Sequence, residues 1–297
     1  MLLAKRFTFL LFCFFIIFLI AFWGFKNNFP GNSLSRIAQL YLNKQTGLIF
    51  EIKDLELGWE KISTPGIFIY KPVSLPNKKN RLLLFIEGIE SPFSSFFLGK
   101  FIINGKVHGG IIKLSLDIFS QNNLEISLED VKLEKVPSKD LVPYASVSGD
   151  LSLFYKIKTI DNLKQLNIWP HKGYIKGSIK NSEIIFIENS NLFDFQFPEL
   201  KFSEIFFDIE ISHLISIEMI ELKGSLDGVI NGKIQPNINH PKMSLLDLNL
   251  KIVPSSRILE KFQIFTPMLS PLQCGKTINV NIKGTMNRIN FPSRNKC

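Results

Sequence analysis

The sequence predicts a mainly β protein: one N-terminal transmembrane helix, then an elongated antiparallel sheet curled over its own apolar face into a groove, with a few short helices. Three observations predict it. Residues 7–25 are uncharged and apolar, more than ten later segments alternate apolar and polar residues, and six of those segments carry a glycine on the apolar phase. The 297 residues are 45% hydrophobic and 21% charged, which gives apolar surface for a core and excludes a disordered chain. Three cysteines exclude a disulfide scaffold.

The first element is the stretch FTFLLFCFFIIFLIAFWGF, 19 residues without a charge. As a helix it spans about 28 Å, close to a bilayer core of about 30 Å. Phe7, Leu10, Phe14, Ile17, Phe22 and Trp23 are its anchoring side chains, with Trp23 at the outer interface. Lys5 and Arg6 precede it and Lys26 follows, so residues 1–27 read as a cytoplasmic stub and a single-pass anchor, with the rest outside the cytoplasm. A cleaved signal peptide needs a shorter apolar run ending in small residues, whereas this one ends Phe22-Trp23-Gly24-Phe25. Cys13 lacks the small residue that a lipoprotein box places before its cysteine. Cys274 and Cys297 would share the oxidising side; Cys297 ends a polar tail, and two free thiols is the simpler reading.

Residues 28–47 read as a linker and an amphipathic helix. Pro30-Gly31 breaks the chain, Asn32 or Ser33 suits an N-cap, and Gly47 is a stop. Leu34, Ile37, Leu40 and Tyr41 recur at helical spacing, forming a face that either packs on the body or rests on the bilayer.

Residues 48–292 read as the β domain and 293–297 as a polar tail. Phe50 and Ile52, then Leu55 and Leu57, alternate with polar residues across a slip at Lys53-Asp54, the signature of a bulge. The clearest strands place Ile112, Leu114 and Leu116, then Leu246, Leu248 and Leu250, then Val280 and Ile282 on one apolar face, the candidate groove lining. Residues 124–128 and 151–157 alternate in the same way. Residues 82–86, 184–187 and 205–207 are apolar on both faces, expected under a helix or at an edge. Helices are expected at 159–168 and 255–265, the latter with Ile258, Leu259, Phe262 and Phe265 on one face. Gly105, Gly149, Gly177, Gly224, Gly232 and Gly284 each sit between large apolar residues on the apolar phase. A missing side chain there permits a sharp bend or the approach of an opposite wall. The competing architecture is two stacked β sandwiches with a boundary near Pro137–Pro143.

Signs of catalysis are absent. The net charge of +9 comes from scattered single residues, without a basic stripe, so no nucleic-acid partner is expected. There is no phosphate loop, zinc-helix motif or nucleophile elbow. His108, His171, His213 and His240 stand far apart, and His108-Gly109-Gly110 reads as a turn. Glu87, Glu90, Glu183 and Glu188 are free to approach one another only if the fold brings them together. The sequence points to no enzyme, catalytic residue, cofactor or metal.

Several segments taken together resemble the GspN family of bacterial type II secretion system proteins. They are the anchor, the helix before Gly47, the strand ending at Trp59, residues 93–98 before Gly99, and residues 101–110 and 147–153. The closest part is the carboxyl end: residues 222–228, residues 244–250, and Ile282-Lys283-Gly284-Thr285-Met286 with Pro292 soon after. Met286 stands where leucine is usual. The resemblance implies a non-enzymatic, inner-membrane-anchored periplasmic component with an assembly role in type II secretion, in contact with other secretion-system proteins. It implies a β groove akin to AsmA-like relatives, and as the alternative a lipid-binding or lipid-transfer conduit between membranes that holds phospholipid. It supplies no catalytic residues.

Overall fold

The computed structural model describes residues 16–17, 19–72, 80–117, 123–136, 145–157, 172–186, 199–237, 240, 243–261, 273–285 and 288–290. The chain divides into two compact units, Met1–Ser95 and Phe96–Cys297. The division falls within the span read as one β domain, between Ser95 and Phe96 in the short helix Phe93–Phe97.

In the first unit, helix α1 covers residues 19–27, with 16 and 17 also helical. Among the described residues no helix is long and apolar enough to cross a membrane. Phe7, Leu10 and Phe14 of the expected anchor lie outside the described residues, as do Cys13, Cys297, His171, Glu188, the helix at 159–168 and the Pro137–Pro143 boundary. Helix α2, Gly31–Thr46, ends as expected: Gly47 is left-handed at φ 69° and donates its N–H to Asn43 O at 3.0 Å. Its start differs from expectation. Pro30 is the N-cap and no side chain caps the helix. Starting earlier lets Gly31 lie against Leu55, where a Cβ would come within 1.9 Å of the carbonyl oxygen. The apolar stripe of α2 does not pack on its own unit, because a polar and small-residue face does so instead.

Strands β1 (Ile49–Ile52) and β2 (Glu56–Leu57) both pair antiparallel with β3 (Lys61–Lys71), which pairs with β4 (Arg81–Pro92). The slip at Lys53-Asp54 is not a bulge. Ile52 opposes Ile67 and Glu56 opposes Ser63, so the two strands have equal residue counts and only the ladder is interrupted. Thr64 fills the gap by donating its hydroxyl to Lys53 O at 2.8 Å.

The second unit is a sheet of long antiparallel strands in near-sequential order: β5 (Lys100–Val107), β6 (Gly110–Asp117), β7 (Leu124–Lys132), β8 (Ala145–Ile157), β9 (Gly173–Phe186), β10 (Leu200–Ile211), β11 (Ile215–Gly224), β12 (Leu226–Gln235) and β13 (Leu245–Pro254). β15 (Thr277–Thr285) follows β13, with the short strands β14 (Gln273–Cys274) and β16 (Arg288–Asn290) paired to β15. The order is a path, not a ring. β7 and β8 pair directly, so no domain boundary divides the sheet between them. The turn expected at His108 is present: His108 and Gly109 have φ of 48° and 86° and join β5 to β6. The segments apolar on both faces at 184–186 and 205–207 are not at a sheet edge; β9 lies between β8 and β10, and β10 between β9 and β11. The helix Ser256–Lys261 is the described part of the helix expected at 255–265; it buries Ile258 and leaves Leu259 exposed.

The polar face is laced by ion pairs between residues directly opposite each other on neighbouring strands. Lys156 meets Glu125 at 2.6 Å, Lys176 meets Asp208 at 3.1 Å, Lys201 meets Glu183 at 2.8 Å and Lys283 meets Asp247 at 3.5 Å; Lys132 pairs with Asp150. Hydrogen bonds to Asp150 and to Glu125 raise the pKa of Lys132 and Lys156, and the charge of Glu221, then the hydrogen bond to Glu204, raises that of Lys223. A raised lysine contributes stability fully below its unfolded value of 10.5 and loses it as pH climbs through the higher folded value. The thermal midpoint of the wild-type chain should therefore fall more between about pH 9 and about pH 11.5 than that of a variant with all three lysines changed to glutamine. Equal falls would show that these pairs carry no stability.

Candidate functional site: the apolar face of the larger sheet

Residues paired directly across an antiparallel ladder point to the same side. The observed registers therefore extend the alternation of single strands into continuous rows. One row runs Ile103, Leu114, Ile126, Tyr155, Ile175, Ile209, Ile217, Gly232, Leu248, Ile282 across ten strands from β5 to β15. Two residues along each strand, and three in β11, a second row runs Gly105, Ile112, Leu128, Leu153, Gly177, Phe207, Ile220, Ile230, Leu250, Val280. On the other side of the first, a third runs Phe101, Leu116, Leu124, Ile157, Gly173, Ile211, Ile215, Ile234, Leu246, Gly284. The three rows carry no charged residue, and Tyr155 alone brings a polar atom on its side chain. Burial raises the pKa of the Tyr155 phenol, as expected for a ring set among aliphatic neighbours.

All eight residues expected to line the face are on it, and every one is half-buried rather than buried. Among the described residues no large side chain is fully sequestered. Full burial of a leucine or isoleucine is worth about 1.5–3 kcal/mol, so each half-covered one leaves on the order of 1 kcal/mol unrealised in water. This face has the chemistry to take an apolar occupant, and among the described residues of its three rows Tyr155 alone carries a titratable group.

The glycines divide into two groups. Gly105, Gly177, Gly232 and Gly284 stand in the rows, whereas Gly224 pairs with Phe202 and Gly149 lies against Ser182, near where β8 to β11 are bulged. What approaches Gly149, Gly177, Gly224 and Gly232 most closely is the neighbouring strand and not an opposite wall. A Cβ on Gly232 would lie 2.2 Å from Asp247 O and 2.8 Å from Leu248 Cα of β13. Gly232 also has φ of 140°, which L residues avoid.

One bulge lies inside the rows: β11 gains a residue between Ile217 and Ile220, and the apolar residues return to the same face beyond it. β7 gains one residue at Asp130 and β9 one at Asn181, both at positive φ and both beyond the three rows. Of the four acidic residues singled out in the sequence, Glu90 pairs with Lys61 and Glu183 with Lys201, and Glu188 lies outside the described residues. Among the described residues no group of three or more His, Cys, Asp or Glu could hold a metal ion.

The sequence reading passed over a polar feature on the opposite face. Asn231, Asn249 and Asn281 stand directly opposite one another on β12, β13 and β15. With Val229, Lys251 and Asn279 they line an open cavity of about 620 Å³. Asparagines on the polar phase of three strands were the available signal, but strict alternation identifies them only as wet.

No protein-family model, curated protein or solved structure matches this chain.

Proposed function

We propose that the protein is a non-enzymatic lipid carrier or lipid conduit, anchored by its N-terminal apolar stretch in the inner membrane, with its body in the periplasm, and holding phospholipid acyl chains against the three apolar rows. In this reading the larger sheet is curled into an elongated groove of the AsmA-like kind, and the acyl chains complete the burial that its side chains leave unfinished. The observation that carries it is the continuity of the uncharged rows across ten strands, with most of their large side chains half-buried and only Ile157, Ile211 and Ile217 buried. An ordinary core is closed by a second layer, and among the described residues most of this face's large side chains are left half-covered, which an apolar occupant would complete.

The test is position-specific crosslinking in cells with the full chain. Benzoylphenylalanine at Ile209, in the central row, should give phospholipid adducts, and at Asp208, on the polar face, should not. Leu248→Glu should reduce the Ile209 adduct while circular dichroism shows the sheet intact. Absence of lipid adducts at Ile209, or equal adducts at both positions, overturns the reading.

A second reading is the assembly role in type II secretion that the family resemblance implies, with protein contact as its work. Phe97 and Leu98, 90% and 76% exposed, favour it. Benzoylphenylalanine at Phe97 should then give adducts with another protein of the secretion system, independently of the lipid result.

A further inference from the structure

Helix α2 meets its own unit with the face that sequence patterning marks as the wrong one. Gly31, Ser35, Gln39 and Asn43, four residues apart, form the contact line. Gly31 and Ser35 are buried. Gln39 Nε2 donates to Ile52 O at 2.8 Å, and Asn43 Oδ1 accepts the Phe50 N–H at 2.7 Å. The two side chains thus satisfy backbone groups on the edge of β1, which pairs only with β3. At ~100° per residue, the apolar stripe is centred on the opposite side of the helix. Leu34, Ile37, Leu40 and Tyr41 are accordingly 41%, 62%, 63% and 54% exposed.

Such a stripe in water is unfavourable, and its setting identifies what covers it. The helix carries Arg36 and Lys44 and no acidic residue, which suits anionic headgroups and disfavours a second copy bringing the same charges. It follows α1 after a break of only three residues, and α1 is the end of the uncharged stretch, with Ile17 and Ile20 also exposed. The end of α1 is held at Trp59: the Phe22 ring lies 5.1 Å from the indole, and Lys26 Nζ sits 5.0 Å over it. A tryptophan and a lysine together are the side chains of a headgroup layer. We propose that α2 lies flat on the surface of an anionic bilayer, its Leu34–Tyr41 stripe sunk to the acyl boundary and its polar face clamped to β1. Lys44, at the end of the stripe, reaches back to the headgroups.

The experiment uses the full chain in vesicles of phosphatidylcholine and phosphatidylglycerol. Cys13, Cys274 and Cys297 are replaced by serine, and single nitroxide labels are placed through Ile37→Cys, Tyr41→Cys, Asn32→Cys or Arg36→Cys. All four positions are exposed, so the labels stay out of the packing, and the melting curve of each labelled protein checks this. Labels at 37 and 41 should collide more with oxygen than with a water-soluble nickel chelate, and labels at 32 and 36 the reverse. Equal access of the chelate at all four positions would put the stripe in water and overturn the proposal. So would spin–spin broadening between labels at 37 on separate chains, which would make a second copy the occupant. The readout lies in the smaller unit and does not depend on lipid held by the larger sheet.

Discussion

Replacing Gly232 by valine should destabilise the larger sheet by about 4 kcal/mol, the sum of a forbidden backbone region and a steric overlap. Gly232 is at φ 140° in β12, an interior strand, and its Cβ would overlap Asp247 O at 2.2 Å. The overlapping atom is backbone in a paired strand, so no rotamer change relieves it. At roughly 2–4 °C per kcal/mol for a unit of this size, the thermal midpoint should drop by about 10 °C. Among the described residues the strands contact chiefly their ladder neighbours, so hydrogen exchange should speed up first in β12, β13 and β15 while β5 to β8 stay protected. Gly88→Asn is the control. Gly88 has φ of 59°, nothing lies within 4 Å of its missing Cβ, and asparagine tolerates that conformation, so the cost should stay under about 1 kcal/mol. A small effect of Gly232→Val would mean that β13 shifts freely, and the rows would lose their fixed register.

The strands were legible because alternation is set by a local rule, and the rows were nearly so. In a meander, neighbours in sequence are neighbours in space, so Leu114, Ile126 and Tyr155 align once each turn is placed. The bulges at Asp130 and Asn181 were not legible, since neither glycine nor proline marks them. A bulge expected at Lys53-Asp54 proved to be an interruption without an added residue, because a slip in hydrophobic phase looks the same whether the strand gains a residue or merely leaves the ladder. The orientation of α2 was illegible for a different reason. Periodicity shows which face of a helix is apolar but not what the rest of the unit offers it. Here the unit offers a strand edge, which needs hydrogen bonds, and Gln39 and Asn43 supply them. The glycines stand on the apolar phase, but the nearest partner of Gly149, Gly177, Gly224 and Gly232 is the adjacent backbone, a contact that only the register reveals.

Three alanine substitutions, compared in lipid-free protein by denaturant unfolding, should distinguish a face that awaits an occupant from a sealed core. Phe202 is 4% exposed and lies between Ser182 of β9 and Gly224 of β11, so Phe202→Ala should cost about 3–5 kcal/mol, the usual cost of emptying a packed aromatic site. Ile185 is 48% exposed on the other side of β9, and Ile185→Ala should change stability by no more than about 0.5 kcal/mol. Leu248 is the informative member. It is half-buried in the central row, with Gly232 on one side and Ile282 on the other. With half its contacts missing, Leu248→Ala should cost about 1–1.5 kcal/mol in the absence of lipid. Added phospholipid that binds the folded sheet should stabilise the wild-type chain by mass action and the Leu248→Glu variant by less. If Leu248→Ala instead costs as much as Phe202→Ala and lipid changes neither protein, the rows are a closed core, and the apolar face holds nothing but itself.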